Sequence, residues 1–203
     1  MGLAERIKLP ELPPSVPHRG NRLSHFIGRL SMAASGWTYK GNFPDEPKFI
    51  IIVVPHTSNI DFPVGVNVLL SLGLRLDFMG KETLFWEPLG TVLRWLGGVP
   101  IDRNAAGGIV GSAVETFNER DQFVLVITPE GTRGKVDRWK TGFYRIADGA
   151  RVPIVPVGFD YATKTIKIGP PLMPSGDMEA DLAKLAAFFS DVKGKYPQNA
   201  YLG

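Results

Sequence analysis

The period of the hydrophobic positions changes along the chain, and the changes mark its elements. Pro10, Pro13, Pro14 and Pro17 crowd the first stretch, which reads as an extended arm. In "NRLSHFIGRLSMAASGW", Leu23, Phe26, Ile27, Leu30, Ala34 and Trp37 recur at helical spacing, and Arg22 and Arg29 fall on other faces. This is an amphipathic helix. Its stripe fits either packing on a core or an interfacial helix lying among lipid headgroups, where Trp37 and Tyr39 would suit the boundary. From residue 49 the pattern alternates. "FIIIVV", "LRLDFMGK", "GVPIDR", "FVLVIT", "VPIVPVGFDY" and "KTIKIGP" read as strands. "DFPVGVNVLLSL", "WEPLGTVLRWLG", "GGIVGSAVETFNER", "GFYRIADGA" and "DMEADLAKLAAFFSDVKGKY" read as helices. The expected fold is α/β, a mostly parallel central sheet flanked by helices, preceded by the N-terminal amphipathic helix. The expected division is a proline-rich segment and helix over 1–40 and the α/β domain over 41–203.

Composition narrows the chemistry. The chain has 203 residues, 44% of them apolar and 21% charged, which suits one globular domain. With no cysteine there is no disulfide framework, thiolate nucleophile or thiolate metal site. Three scattered histidines, His18, His25 and His56, make a poor metal site, so none is expected. The net charge is +3, and its excess lies in residues 1–40, where Arg6, Lys8, Arg19, Arg22, Arg29 and Lys40 face only Glu5 and Glu11. That segment suits an anionic surface, or is simply solvated. "LLSLGLRLDFMG" is interrupted by Arg75 and Asp77, so no membrane span is expected, and no secretory signal is read at the N-terminus. Nucleic acid is not expected, because the basic residues of the core are dispersed. "GGIVGS" lacks the lysine of a phosphate-binding loop.

In open α/β sheets ligands gather beyond the carboxyl ends of the strands. There this sequence places His56, Lys81, Asp102 with Arg103, and "PEGTRG" with Arg133. That is an anion-binding cleft containing a histidine. Asp61 follows His56 closely enough to fold back and fix its tautomer, leaving the other ring nitrogen as a base. Asp61 also reads as a plain helix cap, and His56 as a structural histidine. Gly131 permits a tight turn from which Arg133 projects, either a phosphate fork or a surface turn. There is no "GxSxG", so the nucleophile would be a substrate hydroxyl.

In order along the chain, "HTSNID", "GVPIDR", "PEGTRG" and "VPIVPVG" resemble the four motifs of the glycerophospholipid acyltransferase family, of the 1-acyl-glycerol-3-phosphate type. The resemblance runs from about residue 49 to residue 160. It implies acyl transfer from a thioester, acyl-coenzyme A or acyl carrier protein, to a lysophospholipid hydroxyl, without a cofactor. It implies that His56 is the general base and Asp61 its orienting partner. It implies that Lys81, Arg103, Glu130, Gly131, Thr132 and Arg133 line the acceptor's phosphate or headgroup site, and that Pro153 helps to shape the acyl-donor and oxyanion region. Pro55, Thr128 and Gly134 depart from residues common in the family, which leaves the acceptor open to an amino-acid lipid or a glycolipid. A two-tailed product further implies work at a membrane surface, peripheral or monotopic on the cytoplasmic face. The helix within 19–40 would be the anchor, and Phe85, Trp86, Leu93, Trp95 and Leu96 a second contact or buried packing. A non-catalytic lipid-binding or lipid-transfer protein on the same fold is the alternative, disfavoured by the presence of both His56 and Asp61. A phosphohydrolase using His56 as nucleophile lacks a second cleft histidine to act as acid.

Overall fold

The computed structural model describes residues 9–101 and 108–201; of Gly80, Lys81, Glu82 and Ile101 only the backbone is described. Six α-helices and seven strands are described: α1 (Arg22–Ser35), β1 (Thr38–Lys40), β2 (Lys48–Val53), α2 (Asp61–Leu72), β3 (Asp77–Lys81), α3 (Leu89–Trp95), β4 (Gly98–Ile101), α4 (Gly108–Glu119), β5 (Phe123–Ile127), α5 (Gly142–Ala150), β6 (Ile154–Asp160), β7 (Thr165–Ile168) and α6 (Met178–Phe189). The expected alternation from residue 49 is present throughout. The short edge strand β1 has no counterpart in the sequence reading.

The strands form one sheet in the order β1-β7-β6-β2-β5-β3-β4. Every neighbouring pair is parallel except β6 and β7. β2 lies at the centre: Phe49 pairs with Val124 of β5, and Ile50 with Ile154 of β6. It is covered on both faces, which is why "FIIIVV" is a continuous apolar run and not an alternating one. One core layer packs α1 and α2 on the sheet through Met32, Val64, Val68, Phe49, Ile51 and Phe159. The other packs α4, α5 and α6 through Phe117, Phe143, Ile146, Leu185, Ile50 and Ile52.

α1 starts at Asn21, whose side chain accepts from the amides of Leu23 and Ser24 at 3.1 and 3.0 Å. It stops where Gly36 turns left-handed at φ 75°. It packs on α2, but not through the predicted stripe. Gly28 and Met32 are its buried residues, while Leu23, Phe26, Ile27 and Leu30 are exposed. At Gly28 an added Cβ would lie 2.3 Å from the Ser71 amide nitrogen, so the missing side chain is what lets the two backbones meet. Trp37 does not serve a boundary role. It is buried edge-on to Phe159 and Tyr161, and the Tyr39 hydroxyl contacts Ser71 Oγ at 2.6 Å.

Candidate active site

β2 delivers Val54, Pro55 and His56 to the carboxyl end of the sheet, and α2 opens five residues later at Asp61. The loop between folds back so that the His56 Nδ1 atom lies 3.0 Å from Asp61 Oδ2. The same oxygen accepts the amides of Thr57 and Ser58, each at 3.0 Å. Asp61 Oδ1 accepts the hydroxyl of Tyr161 at 2.6 Å. Asp61 therefore binds the loop ahead of its helix and not the helix's own amides, and the simple cap reading fails. The His56 side chain keeps 16% exposure, whereas that of Asp61 is 1% exposed. With Nδ1 committed to the aspartate, Nε2 is the nitrogen left for the cleft.

Burial pushes the Asp61 carboxyl up, but the bonds from His56, Tyr161 and Ser58 together outweigh it and hold the group below the ordinary aspartate value. These bonds favour the charged carboxylate, the form that orients the imidazole. Burial, with the Asp61 carboxylate bonded to it, pushes the Tyr161 phenol well above its usual value, so it remains a donor.

β5 brings the next group. Glu130 is buried, and its Oε2 accepts the His56 backbone amide at 2.6 Å; its Oε1 accepts the Tyr201 amide at 3.5 Å. Burial raises its carboxyl above the ordinary value in spite of those two bonds. Its carboxylate faces the histidine loop. Gly131 takes a left-handed φ of 65° and donates to the Thr128 carbonyl at 3.0 Å, which turns the chain so that Thr132 and Arg133 stand exposed. Lys140 reaches back to this turn: a Cβ on Gly131 would meet its Nζ at 2.7 Å.

Lys81 closes β3, paired with Ile101 of β4, which puts it at the same end of the sheet. Its side chain, and Arg103 altogether, lie outside the described residues. Pro153 is not brought to the histidine. It precedes β6 at the opposite end, where its carbonyl accepts the Ile50 amide at 2.9 Å. Ile50 to Val53 alone separate it from His56 by about 10 Å at ~3.3 Å per residue.

Two contacts escaped the sequence reading. Tyr161 directly follows β6, a strand whose opening motif drew notice while its far end did not. The segment 193–197 packs behind the histidine loop: the Tyr196 amide donates to Thr57 Oγ1 at 3.1 Å, and a Cβ on Gly194 would meet Pro55 Cγ and Thr57 Oγ1, each at 2.8 Å. No pattern in the sequence marks that approach.

A mostly parallel sheet with a buried aspartate orienting a histidine at its carboxyl edge fits an acyl-transfer domain, and comparison with known proteins agrees. Residues 38–160 match the model of the Acyltransferase family, and the chain belongs to that family. It is similar to the 1-acyl-sn-glycerol-3-phosphate acyltransferase of Escherichia coli, 30% identical over 154 residues, which cover 71% of this chain and 61% of the relative. The Haemophilus influenzae protein of the same name is 27% identical over 195 residues, 85% of this chain and 79% of its own. The crystal structure of the 1-acyl-sn-glycerophosphate (LPA) acyltransferase from Thermotoga maritima superposes with a TM-score of 0.58 at 25% identity, covering 80% of this chain and 73% of that one. The chain thus spans about three fifths of the Escherichia coli relative, and 45% of the Salmonella typhimurium one.

Proposed function

We propose that this chain moves a fatty acyl group from an acyl thioester to the free hydroxyl of a lysophospholipid, of the 1-acyl-glycerol-3-phosphate kind, with His56 as general base. The observation that carries this is the 3.0 Å contact of His56 Nδ1 with the buried Asp61. A lipid-binding protein has no need to orient an imidazole in this way. His56 Nε2 takes the proton of the acceptor hydroxyl as its oxygen attacks the thioester carbonyl. The tetrahedral intermediate collapses with loss of the thiolate, which receives the proton from the imidazolium. Asp61 holds the ring and stabilises the imidazolium between those steps. Tyr161 and Glu130 act as positioning residues, one on Asp61 and the other on the His56 backbone.

The acceptor's phosphate is assigned to the β5–β3–β4 flank. Gly131, Thr132 and Arg133 form the turn there, and Lys81 and Arg103 follow from the resemblance. Membrane attachment is assigned to the outer face of α1 and α3. Leu23, Phe26, Ile27 and Leu30 are exposed on α1; near α3, Trp86, Val92 and Trp95 are exposed while Phe85, Leu93 and Leu96 are buried. Arg19, just ahead of α1, lies 4.7 Å over the Trp95 ring of α3. Among the described residues no helix is long and apolar enough to cross a membrane; the exposed apolar faces of α1 and α3 support a peripheral or monotopic attachment.

The test is acceptor-dependent thiol release from palmitoyl-coenzyme A in micelles with a panel of lysolipids. Release with 1-acyl-glycerol-3-phosphate that disappears in His56→Ala supports the reading. Release that persists in the mutant, or no release with any acceptor from either coenzyme A or acyl carrier protein donors, overturns it.

A further inference from the structure

An open groove of about 600 Å³ lies at the carboxyl end of the sheet, on the β6 side of the histidine loop. It runs between the end of α1, the β6–β7 turn and residues 193–197, and Lys164, Lys193 and Lys195 line it together with Ser35, Trp37 and Tyr161. Two contacts join it to the site. Tyr161, on its wall, is the residue bonded to Asp61, and Gly194, between two of the lysines, packs on Pro55 and Thr57. The sheet order explains the placement: β6 and β7 stand on one side of β2, and β5, β3 and β4 on the other. His56 thus stands between two basic flanks.

The lysines of this groove have no carboxylate partner among the described residues. The nearby acids are engaged elsewhere, since Lys167 holds both Asp160 at 3.2 Å and Asp191 at 2.9 Å. Lys164 gives one N–H to the Ser35 carbonyl at 2.9 Å, and Lys195 Nζ lies 5.7 Å over the Tyr161 ring. Both ammonium groups keep donors free for a ligand. Lys164 also sits at φ 49°, a left-handed position at which glycine or asparagine is the easier residue. Three unpaired cations around a groove of this size define a site for a small polyanion.

We propose that this groove binds the phosphate-bearing nucleotide end of an acyl-coenzyme A donor. The inference rests on the acyl-transfer reading. If the acceptor's phosphate occupies the Arg133 flank, the second anionic substrate has the lysine flank to occupy. Its nucleotide end carries a 3′-phosphate and a diphosphate, a multiple charge that suits three lysines. The pantetheine arm would then run from this groove past the Asp61–Tyr161 pair to bring the thioester to the Nε2 side of His56, with the hydroxyl coming from the Arg133 side.

Calorimetry with adenosine 3′,5′-bisphosphate tests the site without any turnover. Wild type is expected to bind it, and Lys193→Glu/Lys195→Glu to lose binding at least tenfold. In the thiol-release assay the same variant is expected to raise KM for palmitoyl-coenzyme A about tenfold or more, with little change for S-palmitoyl-pantetheine, which carries no phosphate. Lys164→Ala, a milder change, is expected to move KM in the same direction. Unchanged bisphosphate binding and KM overturn the proposal. So does an equal rise for the pantetheine donor, or a rise confined to acyl carrier protein. Bisphosphate binding that needs the lysines, in a protein that transfers acyl groups from no donor, keeps the polyanion site while the acyl-transfer reading falls.

Discussion

The Tyr161 hydroxyl donates to Asp61 Oδ1 at 2.6 Å, while His56 Nδ1 lies at 3.0 Å from the other oxygen of that carboxylate. The aspartate is held from both sides, on one of them by a residue just past β6 that the chain reaches long after the histidine. Tyr161→Phe removes a bond to a charged group, worth roughly 1.5 kcal/mol, and is expected to lower kcat about tenfold with KM nearly unchanged. Because the lost bond favours the carboxylate, the acid limb of the kcat profile should also move to higher pH. An unchanged limb would leave Tyr161 with a packing role only.

Asp61→Asn keeps the shape of the side chain but removes the charge that stabilises the imidazolium. Its kcat is expected to fall by about 10²–10⁴, comparable with His56→Ala, since either change removes the base function. The double variant should be little worse than either single one; strictly multiplicative losses would separate the two roles.

The buried carboxylates set the acid limit of stability. Burial raises Asp61, Asp160 and Asp181, but in each case the hydrogen bonds received outweigh it, and all three are held below the ordinary aspartate value. Their folded values lie below their unfolded ones, so the unfolded chain binds more protons in that window. Their contribution is complete above the unfolded value of ~3.9 and is lost as pH falls through the folded values. Glu130 runs the other way. Burial holds its carboxyl above the ordinary value, so its contribution falls as pH rises from ~4.3 through the folded value. Urea midpoints measured against pH should therefore drop steeply below about pH 4, and less steeply in Asp61→Asn.

Two glycines in helices should respond oppositely to alanine. At Gly28 the new Cβ would lie 2.3 Å from the Ser71 nitrogen and 2.6 Å from the Leu70 carbonyl carbon, both backbone atoms. Gly28→Ala is expected to cost about 1–3 kcal/mol by forcing α1 away from α2. At Gly111 in α4 the Cβ meets nothing within 4 Å among the described residues, and Gly111→Ala should gain about 0.5–1 kcal/mol. Equal midpoints for the two variants would contradict the close helix contact.

The exposed face of α1 is tested without removing the helix, because its other face packs on α2. Phe26→Glu/Ile27→Glu places charge at two exposed positions and should leave the unfolding free energy from urea titration within about 0.5 kcal/mol of wild type. Sedimentation with anionic vesicles is expected to fall several-fold. Unimpaired co-sedimentation would move the attachment elsewhere.

The alternation of elements was legible because β2, β5 and β6 are apolar runs ended by proline or charge, and helices of 3.6-residue period separate them. The pair His56 and Asp61 was legible because their spacing is local. What was not legible depends on tertiary direction. The stripe on α1 has the period of a packing face, yet the close approach at Gly28 turns that stripe outward, and a missing side chain leaves no hydrophobic mark. Glu130 reads as a charged residue in a polar turn. Its burial under the His56 amide follows from β5 lying beside β2, which no periodicity encodes. Tyr161 and Gly194 reach the site from the last third of the chain for the same reason.

The central place of β2 also has a consequence for how the chain reaches its native state. Phe49 finds Val124 and Ile50 finds Ile154 as partners, so both neighbours of this strand leave the ribosome well after it does. Until they arrive, six consecutive β-branched or aromatic residues, "FIIIVV", have both edges open. Such a segment is prone to pair with other nascent copies of itself. Its contacts are far apart in sequence, which slows the search that would enclose it. The strand that leads to the histidine is therefore open to mispairing during synthesis, and the yield of folded protein should rise when translation is slowed or the temperature of expression is lowered.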